Sequence, residues 1–262
     1  MTNTERTPVA FVSHGAPTLA VDPARGADLA AMGAELGAAP AAPRAVLVVS
    51  AHWERAPATI GTTTARELLH DYGGFPREIR EVRYDAPAAP DVAARVADLV
   101  RGVERDERRP WDHGVWVPLV HMFPRRDVPV VQLSLPSRSS GAELVELGRR
   151  LAPLRDEGVL VLGSGGAVHN LGAIDWTEAS PPPSWATEFE SFARAALDRG
   201  DLDALADAER RAPAFRRAHP SAEHWQPLLV AAGAGAAASA PPTYPVEGFE
   251  YGSLSRLAVR WG

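Results

Sequence analysis

The sequence predicts one α/β domain over residues 1–262, with a central, mostly parallel or mixed sheet that helices flank on both faces. Short runs of β-branched and apolar residues alternate along the chain with longer segments whose apolar residues recur at helical spacing. This alternation is typical of a parallel or mixed sheet that is covered on both faces. A length of 262 residues is sufficient for one large core, and the sequence has no internal repeat and no long linker.

The predicted elements follow one another from the N-terminus to the C-terminus. The expected strands are 9–12, 45–50, 59–64, 128–136, 158–166 and 251–262. The expected helices are 24–38, 90–105, 140–154, 184–200 with a helical segment after it, and 221–235. Pro90 favours a helix start, and Ser221 is the expected N-cap of the last helix. The proline-rich stretches SPPPS and ASAPPTYP are expected to be surface loops.

The composition excludes several classes of protein. The chain contains no cysteine, so disulfides, thiolate nucleophiles and cysteine-based zinc sites are excluded. The net charge of −6, without a run rich in lysine and arginine, argues against a general affinity for nucleic acid. No window approaches the roughly 18 uninterrupted apolar residues that a membrane span needs. The first residues lack the pattern of a signal peptide, and the expected location is therefore the cytoplasm.

Three histidines each follow the end of a predicted strand. His14 follows the first strand, His52 follows the second, and His169 follows the strand that ends in glycines. Ligands of open α/β sheets bind outside the carboxyl ends of the strands. If these strands are parallel neighbours, the three imidazoles meet at one edge of the sheet; otherwise each is an ordinary hydrogen-bonded loop residue. A set of neutral imidazoles suits Zn, Cu, Fe or Ni, and an open coordination position would permit catalysis.

Further histidines are weaker candidates on the sequence alone. His224 lies in the first turn of the last predicted helix, where it could face the sheet edge or be a polar helix-start residue. His113, in the motif RRPWDHGVW, is a candidate acid/base or substrate-positioning donor, and its alternative role is to cap the helix that follows. His70 has no such context, and His121 falls inside an apolar helical run.

Seven short motifs are distributed over nearly the whole chain. They are SHGAP at 13–17, SAHW at 50–53, HDYGGFP at 70–76, DHGVWVPL at 112–119, PVVQLSLP at 129–136, GSGGAVHN at 163–170 and EHW at 223–225. Each motif is weak when it is taken alone. Together, and in this order, they resemble the class III extradiol ring-cleavage dioxygenases, in the branch called DOPA 4,5-dioxygenase extradiol.

The resemblance implies a mononuclear, non-haem site for one divalent metal, Fe(II) in the active form and Zn(II) in a purified form. It maps the metal ligands to His14, His52 and His224. It maps His169 to a position that is either a fourth ligand or the acid/base near dioxygen. It maps His113 to a histidine that contacts the substrate.

Two positions depart from the pattern or are ambiguous within it. In the related protocatechuate branch the third ligand is a glutamate, and Glu223 directly precedes His224. The EHW motif places the histidine at the ligand position, so His224 is the expected ligand. Related proteins often have DFYGFP where this chain has DYGGFP, so a tyrosine that borders the substrate is expected to be displaced or lost. The identity of the substrate is therefore open.

The implied function is an oxidoreductase, an extradiol dioxygenase that incorporates both atoms of O2 into a catechol-type, DOPA-like aromatic diol. The expected partners are this small molecule and O2, with no nucleic acid and no membrane, and the expected assembly is a monomer or a small homo-oligomer. Two alternatives remain open. One is a metal-binding interaction protein that resembles the Memo proteins, and the other is a zinc hydrolase in which Glu223 or Asp112 is the carboxylate base.

Overall fold

The computed structural model describes residues 6–38, 42–62, 67–177 and 180–262, and within them ten strands and nine α-helices. The strands are β1 (Val9–Ser13), β2 (Ala45–Arg55), β3 (Thr59–Gly61), β4 (Glu104–Asp106), β5 (Val130–Pro136), β6 (Val159–Gly165), β7 (Thr243–Val246), β8 (Phe249–Glu250), β9 (Leu254–Ser255) and β10 (Ala258–Trp261). The helices are α1 (Ala27–Leu36), α2 (Pro90–Leu99), α3 (His113–Met122), α4 (Gly141–Leu151), α5 (Ser184–Asp198), α6 (Leu202–Ala206), α7 (Ala208–Arg211), α8 (Phe215–Ala218) and α9 (Gln226–Gly235).

Eight strands of the described part of the chain form one sheet, in the order β4-β3-β5-β2-β6-β1-β10-β7. The four central strands β5, β2, β6 and β1 are parallel to one another. At the flanks, β3 pairs antiparallel with β5, and β10 pairs antiparallel with β1 and β7. The sheet is therefore mixed, which confirms the predicted fold class. The strands β2, β6 and β1 are adjacent and parallel, which is the arrangement that brings strand-end histidines together.

Both faces of the sheet are buried under helices. Val46 and Val48 of β2 belong to the core on the side of α1 and α3. Leu47 and Val49 alternate with them and belong to the core on the side of α2, α4, α5 and α9. All four side chains are fully buried. Burial on both faces explains why the central strands are continuous apolar runs in the sequence and not alternating ones.

Two of the predicted helices have different ends in the structure. The helix predicted at 90–105 ends at Leu99, because Gly102 adopts a left-handed backbone conformation with φ 77° and the chain then enters β4. The helix predicted from Ser221 begins at Gln226, so Ser221 is not its N-cap, and its hydroxyl donates instead to a neighbouring carboxylate. Within the described ranges, no helix has the length and apolar character that spanning a membrane requires.

Some predicted strands and loops also differ. Of the strand predicted at 59–64, β3 comprises the first 3 residues, and positions 63 and 64 lie outside the described residues. The strand predicted at 251–262 is divided into β9 and β10. The proline-rich stretch that ends at Pro245 was expected to be a loop, but it contributes to β7. Because β7 is an edge strand, it tolerates a proline, which cannot donate a backbone hydrogen bond.

Candidate metal centre

Five histidines of the described chain meet at the carboxyl ends of the central strands. His14 directly follows β1, and His169 comes shortly after β6. His52 lies within β2, which continues to Arg55 and does not stop before the histidine as the sequence predicted. His113 is the first residue of α3, and the fifth histidine, at position 224, lies in the turn that precedes α9. All five line one cavity of about 560 Å³.

Three of these imidazoles are arranged as a set of metal ligands. The ligand nitrogens of His14, His52 and His224 all lie within 4.8 Å of one another. The Nε2 atoms of His14 and His52 are 3.1 Å apart. The Nε2 atom of His224 is buried and has no hydrogen-bond partner among the described residues. A buried nitrogen without a partner is costly, and a cation held by the three rings would supply the partner, so the residues fit a metal ion.

Hydrogen bonds behind two of the rings set which nitrogen carries the proton. The hydroxyl of Ser164 donates to the carbonyl oxygen of Gly114, so its oxygen accepts from Nδ1–H of His14, at 3.0 Å. Nδ1–H of His224 donates to Oε1 of Glu223 at 3.0 Å, because a carboxylate only accepts. Both rings therefore direct an unprotonated Nε2 into the group, and Glu223 lies behind the ring of His224 and supports it.

Burial keeps the three imidazoles neutral. It lowers the pKa of His14 well below the ordinary value for histidine, and the neighbouring histidines add to this effect. It lowers the pKa of His52 to about 4. It lowers the pKa of His224 to about 3, although the hydrogen bond to Glu223 opposes the change. At neutral pH each of the three rings therefore has an unprotonated nitrogen, and a metal that binds there does not have to displace a proton.

Two glycines of β6 explain how His224, distant along the chain, reaches the sheet edge. A Cβ atom on Gly163 would lie 2.4 Å from the carbonyl oxygen of Pro227, and one on Gly165 would lie 2.2 Å from that of His224. Because both positions lack a side chain, the turn before α9 packs directly on β6, and Gly166 N–H donates to the carbonyl oxygen of His224 at 2.9 Å. The glycines of the run GSGG are therefore what permits this close contact.

A carboxylate that sequence reasoning missed lies beside the metal group. Oδ1 of Asp71 accepts from the backbone N–H of His113 at 3.3 Å and from its Nδ1–H at 2.7 Å. Oδ2 of Asp71 lies 3.4 Å from Nδ1 of His52. Burial alone would raise the pKa of Asp71, but the hydrogen bond from His113 and the proximity of both histidines lower it. Asp71 belongs to the motif HDYGGFP, and this position was the available signal.

The same carboxylate belongs to a second possible ligand group, formed by His52, Asp71 and His113. In this group Oδ1 of Asp71 already accepts two hydrogen bonds from His113. In the first group, by contrast, Nε2 of His224 has no partner among the residues that the structure describes. The unsatisfied nitrogen favours the group that contains His224 as the metal site.

His169 stacks on His224 and lies outside both groups. The two ring centroids are 3.5 Å apart and the ring planes differ by 4°. Neither ligand group that the described residues form includes His169. Burial lowers the pKa of His169 to about 4, although Glu223 opposes the change, so the ring is neutral at the cavity wall.

Asp112, which sequence reasoning considered as the base of a hydrolase, is fully buried. Its carboxylate accepts hydrogen bonds from Ser50 at 2.7 Å, from Gln132 at 2.5 Å and from Arg109 at 3.1 Å. Asp112 also occupies the N-cap position of α3, so His113 is the first helical residue and is not the cap. Both carboxylate oxygens of Asp112 accept hydrogen bonds from these side chains. Asp112 therefore has a structural role and is not free to act as a base.

The other three histidines of the described chain have separate structural roles. Nε2 of His219 is 3.0 Å from the carbonyl oxygen of Ala167, within an aromatic cluster. Nε2–H of His121 donates to the carbonyl oxygen of Leu19 at 2.7 Å. The ring of His70 lies beside two aromatic rings and does not line the cavity.

Beyond the histidines, the cavity wall is largely aromatic and aliphatic. The ring of Tyr72 lies 5.6 Å from that of His113, so this chain keeps a tyrosine at the cavity although its motif differs from DFYGFP. Leu171 and Trp176 line the cavity and are exposed, and the ring of Tyr251, which also lines it, lies beside that of Trp176. We call these three residues the cavity mouth.

Comparison with known proteins supplies independent information. Residues 8–258 match the family described as the catalytic LigB subunit of aromatic ring-opening dioxygenase. The 4,5-DOPA dioxygenase extradiol of Beta vulgaris is 38% identical over an alignment of 234 positions, which covers 86% of this chain and 85% of that protein. The protein of the same name from Escherichia coli (strain K12) is 36% identical over an alignment of 266 positions, which covers 98% of this chain and 95% of that protein.

A solved structure is also similar over the full length. The crystal structure of the uncharacterized protein JW3007 from Escherichia coli K12 matches with a TM-score of 0.81 and 34% sequence identity. The match covers 98% of this chain and 100% of that chain.

Proposed function

Because the chain belongs to the family of catalytic LigB subunits of aromatic ring-opening dioxygenases, it is a non-haem extradiol ring-cleaving dioxygenase, and we propose that its substrate is a catechol with a substituent on the ring, as in DOPA. The observation that supports this proposal is the cluster of three neutral imidazoles at the base of a cavity large enough for such a molecule. A zinc hydrolase is not favoured, because Asp112 is fully engaged and Glu223 lies behind the ring of His224, from which it accepts a hydrogen bond.

The metal of this enzyme would be held by His14, His52 and His224. Nitrogen ligands of this kind suit both iron and zinc, and we propose Fe(II) in the active enzyme and Zn(II) in a purified form. An ion held there would lower the pKa of the two catechol hydroxyls and would offer a coordination position for O2. Nε2 of His224, which is buried without a hydrogen-bond partner in the described part of the chain, supports this assignment.

His113 would position the substrate and take a proton from it. Its Nδ1–H is donated to Asp71 at 2.7 Å, so Nε2 is the unprotonated nitrogen and can accept from a catechol hydroxyl. If Nε2 takes that proton, the carboxylate of Asp71 stabilises the imidazolium that results, as a carboxylate behind a histidine does in other acid/base sites.

His169 would be the second acid/base. Its ring is neutral and lies against the ring of His224, at the wall of the cavity and outside the group of proposed ligands. A neutral imidazole beside the reacting ring can accept a proton and return it to an oxygen of the substrate. The aliphatic and aromatic wall would limit the access of water to these proton transfers.

The proposed function is tested by oxygen uptake. The metal is removed with a chelator, the protein is reloaded with Fe(II) without oxygen, and O2 consumption is followed with a panel of catechols that includes DOPA and unsubstituted catechol. We expect one O2 consumed for each ring cleaved and a yellow semialdehyde product. A protein loaded with Zn(II) and the variant His52→Ala, treated in the same way, serve as controls. A hydrolase or a binding protein would consume no O2, and that result would refute the proposal.

We further propose that the protein acts in the cytoplasm as a monomer or a small homo-oligomer, without a nucleic-acid or membrane partner. The net charge of −6 and the lack of a basic run support the absence of nucleic-acid binding. Light scattering on the purified protein measures the assembly, and cell fractionation measures the location.

A further inference from the structure

The part of β2 that carries His52 is a bulge. Val49 and Glu54 of β2, which are five positions apart, both pair with β5. Their partners, Leu133 and Leu135, are only two positions apart, so β2 has three extra residues at this point. A bulge bends its strand and redirects side chains, and bulges are frequent beside active sites. The shape of this bulge therefore determines where the imidazole of His52 lies.

Two side chains take the place of strand partners at His52. Its backbone N–H donates to Oγ of Ser50 at 3.2 Å, and its carbonyl oxygen accepts from Nη2 of Arg109 at 3.1 Å. The pairing of β2 with β6 extends as far as Ser50, so His52 lies beyond it. Buried backbone groups that lose a strand partner need another one, and here Ser50 and Arg109 provide it.

Asp112 connects the two side chains that hold His52. Its Oδ1 accepts from the hydroxyl of Ser50 at 2.7 Å, and its Oδ2 accepts from Nη2 of Arg109 at 3.1 Å. Because the hydroxyl proton of Ser50 is used in this bond, the oxygen of Ser50 is left to accept from the N–H of His52. Gln132 of β5 also donates to Asp112, which is fully buried. The bulge is thereby tied to β5 and to the start of α3.

Arg109 also contacts the residue that follows His52. Its guanidinium lies 5.2 Å from the centroid of the Trp53 ring, on which it packs as a cation on an aromatic face. That ring is buried and lies over Gly61 of β3, where a Cβ atom would be 3.5 Å from it. Arg109 therefore holds the bulge at two consecutive residues, one through its carbonyl oxygen and one through its ring.

We propose that Arg109 is a positioning residue for the metal. Together with Ser50 and Asp112 it fixes the backbone of His52, and this keeps the imidazole in place among the proposed ligands. None of these three supporting residues lines the cavity, so they act through His52 and not on the substrate. This inference rests on the ligand assignment in the proposed function and adds residues that determine the affinity for the metal.

The test measures the Kd for Zn(II) by competition with a chromophoric chelator, together with the Tm of the metal-free protein. Arg109→Met keeps a stem that packs on Trp53 and removes both hydrogen bonds. We expect it to raise the Kd by about tenfold to hundredfold, the usual effect of losing a group that orients a ligand.

Arg256→Met is the matched control. Nη2 of Arg256 likewise donates to a backbone carbonyl oxygen, that of Arg25 at 3.1 Å, and to a carboxylate, that of Asp28 at 3.0 Å. We expect Arg256→Met to lower the Tm of the metal-free protein, as Arg109→Met does, and to leave the Kd at the wild-type value. A role of Arg109 in stability alone would give this result in both variants.

Ser50→Ala is a second variant, which decides the question if Arg109→Met does not fold. It removes one hydroxyl and leaves the N–H of His52 without its acceptor, and we expect the Kd to rise by about threefold to tenfold. A Kd within about twofold of the wild-type value in the folded variants would overturn the inference and leave the ligand assignment intact. A wild-type protein that binds no Zn(II) would refute the ligand assignment, and the inference would fail with it.

Discussion

At the scale of the residue, the imidazoles of His14 and His224 are the most constrained groups of the site. Each donates Nδ1–H to an oxygen behind the ring, to Ser164 and Glu223 respectively, at 3.0 Å. The ring orientation therefore exists before a metal binds. Such partners behind a ligand reduce the entropy that ordering it would cost, and they raise its basicity.

The first prediction is that His14→Ala or His224→Ala lowers the bound metal by more than about tenfold. Loss of a hydrogen-bond partner behind a ligand already lowers metal affinity by about tenfold or more, and here the ligand itself is lost. Metal content is measured by elemental analysis after loading with Zn(II) and desalting. His121→Gln, at a half-buried histidine that donates to Leu19 and does not line the cavity, is the matched control. Near-stoichiometric metal in His14→Ala would contradict the ligand assignment.

The second prediction separates His169 from the ligands. Because the ring of His169 stacks on that of His224 and is outside the group of three, His169→Ala is expected to keep its metal. Loss of an acid/base is expected to lower kcat by roughly 10²–10⁴. Metal content and kcat are measured on one preparation. Loss of metal together with activity would instead identify His169 as a ligand.

The third prediction concerns Asp71, which acts through His113. His113→Ala is expected to lower kcat and to raise KM, with little change in Tm. Asp71→Asn removes the charge that holds Nδ1–H of His113, and we expect kcat to fall by about tenfold to hundredfold at saturating Fe(II). Asp127→Asn, at an exposed carboxylate that pairs with Arg125, is the control.

A double-mutant cycle tests whether these two residues act as a unit. If Asp71 acts by positioning His113, then Asp71→Asn has little further effect on kcat in a protein that already carries His113→Ala. Fully additive losses would show instead that Asp71 has a separate role, through its 3.4 Å contact with His52.

At the scale of the element, the contact between β6 and the start of α9 is what completes the site. The fourth prediction is that Gly165→Ala destabilises the protein by about 1–3 kcal/mol and lowers its metal content, because the new Cβ would lie 2.2 Å from the carbonyl oxygen of His224. Urea unfolding and elemental analysis measure the two effects. Gly73→Ala, whose Cβ would meet nothing within 4 Å, is the control. Wild-type stability and full metal content in Gly165→Ala would refute this account of the contact.

The strands that carry His14 and His52 could be predicted from the sequence, whereas the contact between β6 and the start of α9 could not. The central strands and their order of appearance follow from local apolar runs. The positions of His14 and His52 follow from those strands, because a strand carries the residues of its carboxyl end to the sheet edge. His224 can approach β6 because Gly163 and Gly165 have no side chain. This contact involves two segments that are distant along the chain, and local sequence patterns do not reveal it. The strand β7 likewise exists because it pairs with β10, although its single proline, Pro245, argues against a strand.

At the scale of the whole molecule, metal binding and folding are linked. A metal that binds the folded state and does not bind the unfolded state stabilises the protein by about 2.7 kcal/mol when its free concentration is 100 times its Kd. The fifth prediction is that saturating Zn(II) raises Tm by about 5–10 °C, since about 1 kcal/mol shifts Tm by about 2–4 °C in a domain of this size. The shift is measured by calorimetry of chelator-treated protein, and His52→Ala is expected to abolish it. An unchanged Tm in the wild type would mean that no metal binds the folded state.

The cavity mouth and the histidines belong to different parts of the architecture. His14 and His52 are carried by strands in the centre of the sheet, whereas Leu171 and Trp176 lie on the segment that follows His169. That segment is tied down mainly through its backbone, by Asp175 N–H to the carbonyl oxygen of Tyr251 and by other bonds that do not involve the exposed side chains. Mutation of those side chains therefore costs the fold little. During evolution, proteins with this architecture can acquire new substrates by drift at the mouth while the inherited chemistry is preserved.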